Sequence, residues 1–260
     1  MARYRFALVG DPVAHSRSPA IHHALLELFG LEGDYTAIRA DVAVLGQVVD
    51  QLAEGKWSGL NVTMPLKTAA ALRADVLSPY AARSGSVNTL VMGDSMIKGH
   101  STDSTTFDEL TTSPGFEDVD PVLILGAGGS AAAALAALAT GHRHIHVAAR
   151  RSDQSDSLTG RLGGDQLPWD TPVAGALVIN TTPIGMHGER LPSAVMGAAS
   201  GLIDLPYGSR PTPAVHLARE MGLPVVDGHE FLLRQALASF RLWTGVALEY
   251  ATAEVVLRNV

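Results

Sequence analysis

One lysine stands in an otherwise uncharged stretch, GLNVTMPLKTAA, at residues 59–70. Lys67 follows a run with the composition of a buried strand. It comes just after Pro65, which reads as the first residue of a helix. An ammonium group in such surroundings is costly to desolvate unless something pairs with it or uses it. A positioned lysine can stabilise a developing negative charge and deliver a proton to it. A second concentration of chemistry lies in VLILGAGGSAAAALAAL, where Gly126, Ala127, Gly128 and Gly129 follow a strand-like run and open a helix. Glycines there permit a tight turn and close backbone approach, and the N–H groups of the first helical turn face a pyrophosphate. Ala131 takes the place of the third small residue of the fingerprint. About twenty residues on, where an NAD site offers a carboxylate to the ribose, the chain reads AARRS. The guanidinium forks of Arg150 and Arg151 suit a 2′-phosphate, which points to NADP rather than NAD.

These residues need a scaffold, and the hydrophobic pattern describes one. RYRFALVG (3–10), DYTAIRA (34–40), WSGLNVT and VNTLVM (87–92) read as strands. Between them lie helical patterns such as SPAIHHALLELFG, whose Ile21, Ala24, Leu25, Leu28 and Phe29 share one face and whose Gly30 ends it. A hairpin through GDS leads to MIKGHS. After TTSPGFEDVDP (111–121), a linker by composition, the alternation restarts with PVLILG, HIHVAAR, GALVINTT, GLIDLPY and LPVVDG. Such alternation predicts an α/β protein with parallel strands joined by crossover helices. The tail EFLLRQALASFRLWTGVALEYATAEVVL is helical and apolar almost all round, so it must be buried on several faces. We expect it to pack back on the first half. That gives two domains: residues 1–103 with 229–260, and a doubly wound Rossmann domain at 104–228.

Composition narrows the function. The chain has 260 residues, 47% hydrophobic and 17% charged, with a formal net charge of −7 and no cysteine. A disulfide, a thiolate nucleophile and a thiolate metal site are excluded. The acidic balance argues against a nucleic-acid partner, and an anionic ligand requires a local positive field. No apolar stretch approaches a membrane span, and the N-terminal apolar run is shorter than a secretory core. The expectation is a soluble, cytoplasmic protein. His142, His144 and His146 alternate along a strand, but no carboxylate cluster joins them, so no metal site is assigned.

Taken together, GDPVAHSRSPAIHHALL, GLNVTMPLK, GSVNTLV, STD, GAGGSA and INTTPIGM resemble the shikimate dehydrogenase family along the whole chain. The resemblance implies a substrate domain and an NADP-binding Rossmann domain with a cleft between them, and the reduction of 3-dehydroshikimate to shikimate. It places the catalytic pair on Lys67 and Asp103. Substrate groups fall on Ser16, Ser18, Asn61, Thr63, Asn88, Tyr207 and Gln235. Cofactor contacts extend from the glycine-rich turn to Ser130, Thr181, Thr182, Leu205 and Gly228, beside Arg150 and Arg151. The residue types suit those roles. Ser16 and Ser18 enter a helix, where hydroxyls and N–H groups hold a carboxylate. Asn61, Thr63 and Asn88 offer neutral donors and acceptors to a polyhydroxylated ring.

Asp103 has a competing role as the N-cap of the following helix, and the two roles are compatible. Three positions depart from the family pattern: Ser101 replaces an asparagine, Ala149 another, and Glu230 stands where a second glycine is frequent. Three readings stay open. They are the shikimate enzyme, a paralogue for quinate or an amino-substituted analogue, and a dinucleotide-binding regulator without turnover. The partner is a small anionic polyhydroxylated molecule, and the assembly a monomer or homodimer.

Overall fold

The computed structural model describes residues 3–139, 141 and 143–257. His142 lies outside the described residues. In chain order the elements are β1 (Tyr4–Gly10), α1 (Ser18–Leu28), β2 (Gly33–Arg39), α2 (Val42–Ala53), β3 (Gly59–Val62), α3 (Lys67–Ala71), β4 (Val76–Leu77), α4 (Pro79–Ser84), β5 (Thr89–Gly93), β6 (Met96–His100) and α5 (Thr102–Thr111). There follow β7 (Val122–Leu125), α6 (Gly129–Leu138), β8 (Ile145–Ala148), α7 (Ser152–Leu162), β9 (Asp165–Leu167), β10 (Ala176–Asn180), α8 (Ser193–Ala198), β11 (Ala199–Asp204), α9 (Pro213–Glu220), β12 (Val225–Val226), α10 (Gly228–Thr244) and α11 (Tyr250–Val256). The chain divides into two compact units, Met1–Asp103 with Leu233–Val260, and Ser104–Leu232. The division falls inside α5 and α10. The proline-rich segment 111–121 is therefore not the boundary. Phe116 of that segment is buried, and Arg143 fastens it by donating to the carbonyls of Thr111, Phe116 and Glu117.

The sheet of the first unit has the order β2-β1-β3-β5-β6-β4. Strands β1, β2 and β3 are parallel, whereas β5 runs antiparallel to both β3 and β6. The hairpin expected at GDS joins β5 to β6 through Asp94 and Ser95, both with positive φ, the conformation a two-residue hairpin loop favours. This makes the sheet mixed, unlike the purely parallel one that simple alternation predicts. The C-terminal half of α10 packs on it: Trp243 stacks on Phe6 and donates its indole N–H to the Leu90 carbonyl. An apolar tail thus finds its cover in the first unit.

The second unit is a parallel sheet of order β12-β11-β10-β7-β8-β9. The chain winds outward from β7 in one direction through β8 and β9, and from β10 in the other through β11 and β12. That is the doubly wound arrangement, with its switch point between β7 and β10. Strands β7 and β10 are buried at every residue, as both-face coverage requires. Helix α6 is buried from Ala131 to Leu138, and its alanines let it lie close against the sheet. Short strands β4 and β9 escape sequence reading because two or three residues carry no periodicity. Among the described residues no helix is long and apolar enough to cross a membrane.

Candidate active site

Register brings the first set of side chains to one edge of the first unit's sheet. Asn61 of β3 pairs with Thr89 of β5, and Thr89 pairs with His100 of β6. Because β5 is antiparallel, its entry lies at the same edge as the exits of β3 and β6. Asn88 precedes β5, Thr63 follows β3 and Asp103 follows β6, so all three meet there. Helix α3 begins at Lys67 rather than at Pro65. Pro65 sits in a turn that the Leu66 N–H closes by donating to the Thr63 carbonyl. The Lys67 carbonyl accepts from the Val87 N–H, which pins the lysine beside the entry to β5. Similarly, α5 begins at Thr102, so Asp103 belongs to its first turn and is not its cap.

Lys67 Nζ donates to Asp103 Oδ2 at 2.5 Å, with the two side chains 13% and 7% exposed. The other carboxylate oxygen accepts from Asn88 Nδ2 at 2.8 Å. Asn88 Nδ2 also reaches Thr102 Oγ1 at 2.8 Å, while its Oδ1 accepts the Thr102 N–H at 2.7 Å. The orientation of Asp103 is therefore set from both sides by groups that are themselves held. Behind them lies a buried polar chain absent from the sequence reading. Ser239 Oγ of α10 contacts Asn61, Thr89 and Thr102 within 3.2 Å, and Tyr35 donates to Asn61 Oδ1 at 2.8 Å. Gln235 and Ser239 are four residues apart on one face of an apolar helix, and that pairing was the available signal.

The remaining expected substrate residues differ in what they can offer. Asn61 is buried and donates to the Asn88 carbonyl, Thr89 and Ser239, so its amide braces the sheet against α10. Thr63 is half-buried at the strand end. Ser16 Oγ accepts from the Ser18 N–H at 3.2 Å at the entrance to α1. Gln235 is buried, with its Oε1 at 3.5 Å from Asn88 Nδ2. Tyr207 belongs to the second unit, its ring 5.5 Å from that of His229. His100 is half-buried, and burial, with help from Lys98, pushes its imidazole below the ordinary value.

In the second unit the loops leaving β7, β10 and β11 converge at the carboxyl edge of the sheet. Gly126 has φ +115°, and a Cβ there would lie 2.5 Å from Thr181 Oγ1. Only glycine allows the first turn to abut the Thr181–Thr182 loop so closely. The space above Gly128 is open, and α6 has no side-chain cap at its start. Arg150 and Arg151 are exposed after β8 and take part in no ion pair among the described residues. An open glycine bed at a helix start, followed by two exposed guanidinium groups, fits a dinucleotide with a 2′-phosphate. A Cβ on Gly228 would meet the carbonyl oxygens of Leu205 and Pro206 within 2.5 Å, so the start of α10 lies directly against the exit of β11. A cavity of about 180 Å³ opens there, lined by Tyr207, Arg210, Thr212, Asp227, Gly228 and His229 among others.

A family model described as the shikimate dehydrogenase substrate binding domain matches residues 8–90. The shikimate dehydrogenase (NADP(+)) of Gluconobacter oxydans is 35% identical over 249 residues, 92% of this chain and 89% of that protein. The enzyme of the same name from one strain of Thermus thermophilus is 34% identical over 258 residues, 98% of each chain. The chain belongs to the shikimate dehydrogenase family. The crystal structure of the shikimate 5-dehydrogenase from another Thermus thermophilus strain, in complex with NADP(H) and shikimate, superposes with a TM-score of 0.86. It is 32% identical and covers 98% of each chain.

Within the family pattern, the three departures have definite places in the structure. Ser101 is buried beside the network, Ala149 is buried at the end of β8, and Glu230 stands in the first turn of α10. The N–H groups of His229 and Glu230 donate to Asp227 Oδ1, which caps that helix. Among the described residues no cluster of histidine and acidic side chains could hold a metal.

Proposed function

We propose that this chain is an NADPH-dependent shikimate dehydrogenase, reducing 3-dehydroshikimate to shikimate on the route to aromatic amino acids. The observation that carries the reading is the buried Lys67–Asp103 pair at 2.5 Å, in a chain related along its whole length to enzymes of that name. Bound NADPH supplies a hydride to the ketone carbon. The carbonyl oxygen then needs a proton. Lys67 is the donor: its ammonium stabilises the growing alkoxide charge, transfers one proton to it and is reprotonated from solvent. Asp103 fixes the ammonium by its Oδ2, and Asn88 fixes Asp103 by its Oδ1. The hydroxyls of Ser16 and Ser18, with the start of α1, receive the substrate carboxylate, while Asn61, Thr63, Asn88 and Gln235 serve the ring hydroxyls. The family pattern also gives Tyr207, of the second unit, a substrate role. Gly126, Ala127, Gly128, Gly129 and Ser130 take the pyrophosphate, and Arg150 and Arg151 the 2′-phosphate. Thr181, Thr182, Leu205 and Gly228 bound the remainder of the cofactor.

All the side chains invoked come from one chain, so the reading requires no partner and is met by a monomer or homodimer. The lack of cysteine suits work in the cytoplasm. Steady-state rates with shikimate and with quinate, each with NADP and NAD, test the assignment. The expected result is turnover with shikimate and NADP well above the other three pairs. Binding of NADPH without any shikimate-dependent reduction of NADP would instead identify a regulator.

A further inference from the structure

We propose that Asp204 is a positioning residue for the cofactor, acting through Asn180 and Thr212 to hold the β10 and β11 loops in their binding conformation. This rests on the reading that the second unit binds NADPH, and it adds a residue to which neither the family pattern nor the sequence assigned a role. Asp204 ends β11 and is fully buried. Its Oδ1 accepts from Asn180 Nδ2 at 2.7 Å, and its Oδ2 accepts a short bond from the Thr212 hydroxyl. No cation pairs with it among the described residues. The charge acting on it is that of Asp227, which is itself bonded to Arg219 at 2.8 Å.

The bonds continue outward from both partners. Asn180 Oδ1 accepts from the N–H and the hydroxyl of Thr182, and Asn180 Nδ2 also donates to the Ile184 carbonyl. The Asn180 carbonyl accepts from the Leu205 N–H. Thr181 donates to the Leu125 carbonyl through both its N–H and its hydroxyl, against Gly126. Thr212 caps α9 by accepting from the Val215 N–H and packs against Gly185. One carboxylate thus stands at the root of the segments carrying Thr181, Thr182 and Leu205.

Capping α9 does not explain it, because Thr212 does that alone. Holding a carboxylate in a dry site without a cation is costly, and burial pushes its carboxyl up to about 6 despite the two donors. The compensating gain lies in geometry: a carboxylate accepts from both sides at once, whereas an amide presents one donor and one acceptor.

The test is fluorescence titration of NADPH and calorimetric titration of shikimate against the full chain, for the native protein, Asp204→Asn, Thr212→Val and Thr212→Ser. The expected result is an NADPH Kd raised about tenfold in Asp204→Asn and Thr212→Val, as for the loss of one charge-assisted bond. Thr212→Ser, which keeps the hydroxyl, should stay near the native value, and shikimate affinity should not change. Equal NADPH affinity in all four proteins overturns the inference, as does equal loss in Thr212→Val and Thr212→Ser. A parallel loss of shikimate affinity also overturns it by showing a general structural defect. If Asp204→Asn fails to fold, the two Thr212 variants decide. Failure of the native protein to bind NADPH would remove the underlying reading of the second unit instead.

Discussion

One buried aspartate in each unit stands at or just beyond a strand end, Asp103 in the first turn of α5 and Asp204 as the last residue of β11, and they are held in opposite ways. Asp103 faces a lysine and one neutral amide, whereas Asp204 faces a neutral amide and a neutral hydroxyl. Asp103 shares its charge with a group that can surrender a proton. Asp204 has no such group and only receives hydrogen bonds. On the function proposed above, the same side chain serves chemistry in one unit and geometry in the other. What separates the two roles is a cation within hydrogen-bond reach, not burial, which is nearly the same for both.

The contrast is tested most severely at Lys67. Lys67→Ala removes the proposed proton donor and leaves Asp103 buried without a cation, so turnover should fall about a thousandfold. NADPH affinity, belonging to the other unit, should hold. A residual rate within a few-fold of the native enzyme would remove Lys67 from the chemistry. Asp103→Asn keeps the shape and loses the charge that anchors the ammonium. Its turnover should fall roughly a hundredfold, again with NADPH affinity intact. Asp204→Asn should do the reverse, moving NADPH affinity more than turnover at saturating cofactor. If both variants moved the same parameter, the two aspartates would not differ in role.

Each unit also buries a titratable group without an opposite charge, and the two push stability in opposite directions with pH. His22 of α1 is fully buried, stacked on Tyr35 at 4.4 Å and beside Trp243, and neither ring nitrogen has a hydrogen-bond partner among the described residues. Burial, with a smaller push from His23, lowers its pKa to about 3. The unfolded chain therefore binds a proton that the folded chain refuses. Stability is full above pH 6.5 and is lost as pH falls toward 3. Asp204, raised to about 6, has the opposite sign: its contribution is present below the ordinary carboxylate range and is lost as pH rises through 6. Unfolding of the native protein and His22→Leu, followed by tryptophan fluorescence at about pH 7.5 and about pH 4.5, separates them. The variant should lose less on acidification, by roughly 2–3 kcal/mol. Identical pH dependence would mean that the buried imidazole is not what weakens the first unit in acid.

Legibility in the sequence followed the range of the interactions. The parallel second unit was readable because VLILG and ALVIN are continuous apolar runs next to glycine and polar loops. The Lys67 neighbourhood was readable because one cation in a neutral stretch is conspicuous. The strand order β3-β5-β6 was not, since nothing local in VNTLVM says that it runs antiparallel to GLNV. That order is what delivers Asn88 and Asp103 to the same edge. Asn61 shows a second duty that its type did not announce: its Nδ2 lies within hydrogen-bond reach of Thr89, Ser239 and the Asn88 carbonyl, which ties the sheet to α10. Asp204, at the end of GLID, was visible as a charge closing an apolar strand. Its partners Asn180 and Thr212 are 24 and 8 residues away, so the network could not be seen before the fold.

The smallest expected effect concerns charges that are exposed rather than buried. Arg150 and Arg151 lie in solvent after β8, where water screens a guanidinium and a single contact contributes little. Their value arises only when a dianionic phosphate accepts bonds from both forks. The double variant Arg150→Ala, Arg151→Ala should therefore lower the preference for NADPH over NADH about tenfold, while NADH affinity stays as it was. Shikimate KM and the unfolding midpoint should not move, because neither side chain supports the core. Raising the salt concentration should erode the native preference and leave that of the variant nearly flat, since only the native protein has an ionic contact to screen. An unchanged coenzyme preference would show that the 2′-phosphate is recognised elsewhere in the second unit, and that these two arginines only solvate its surface.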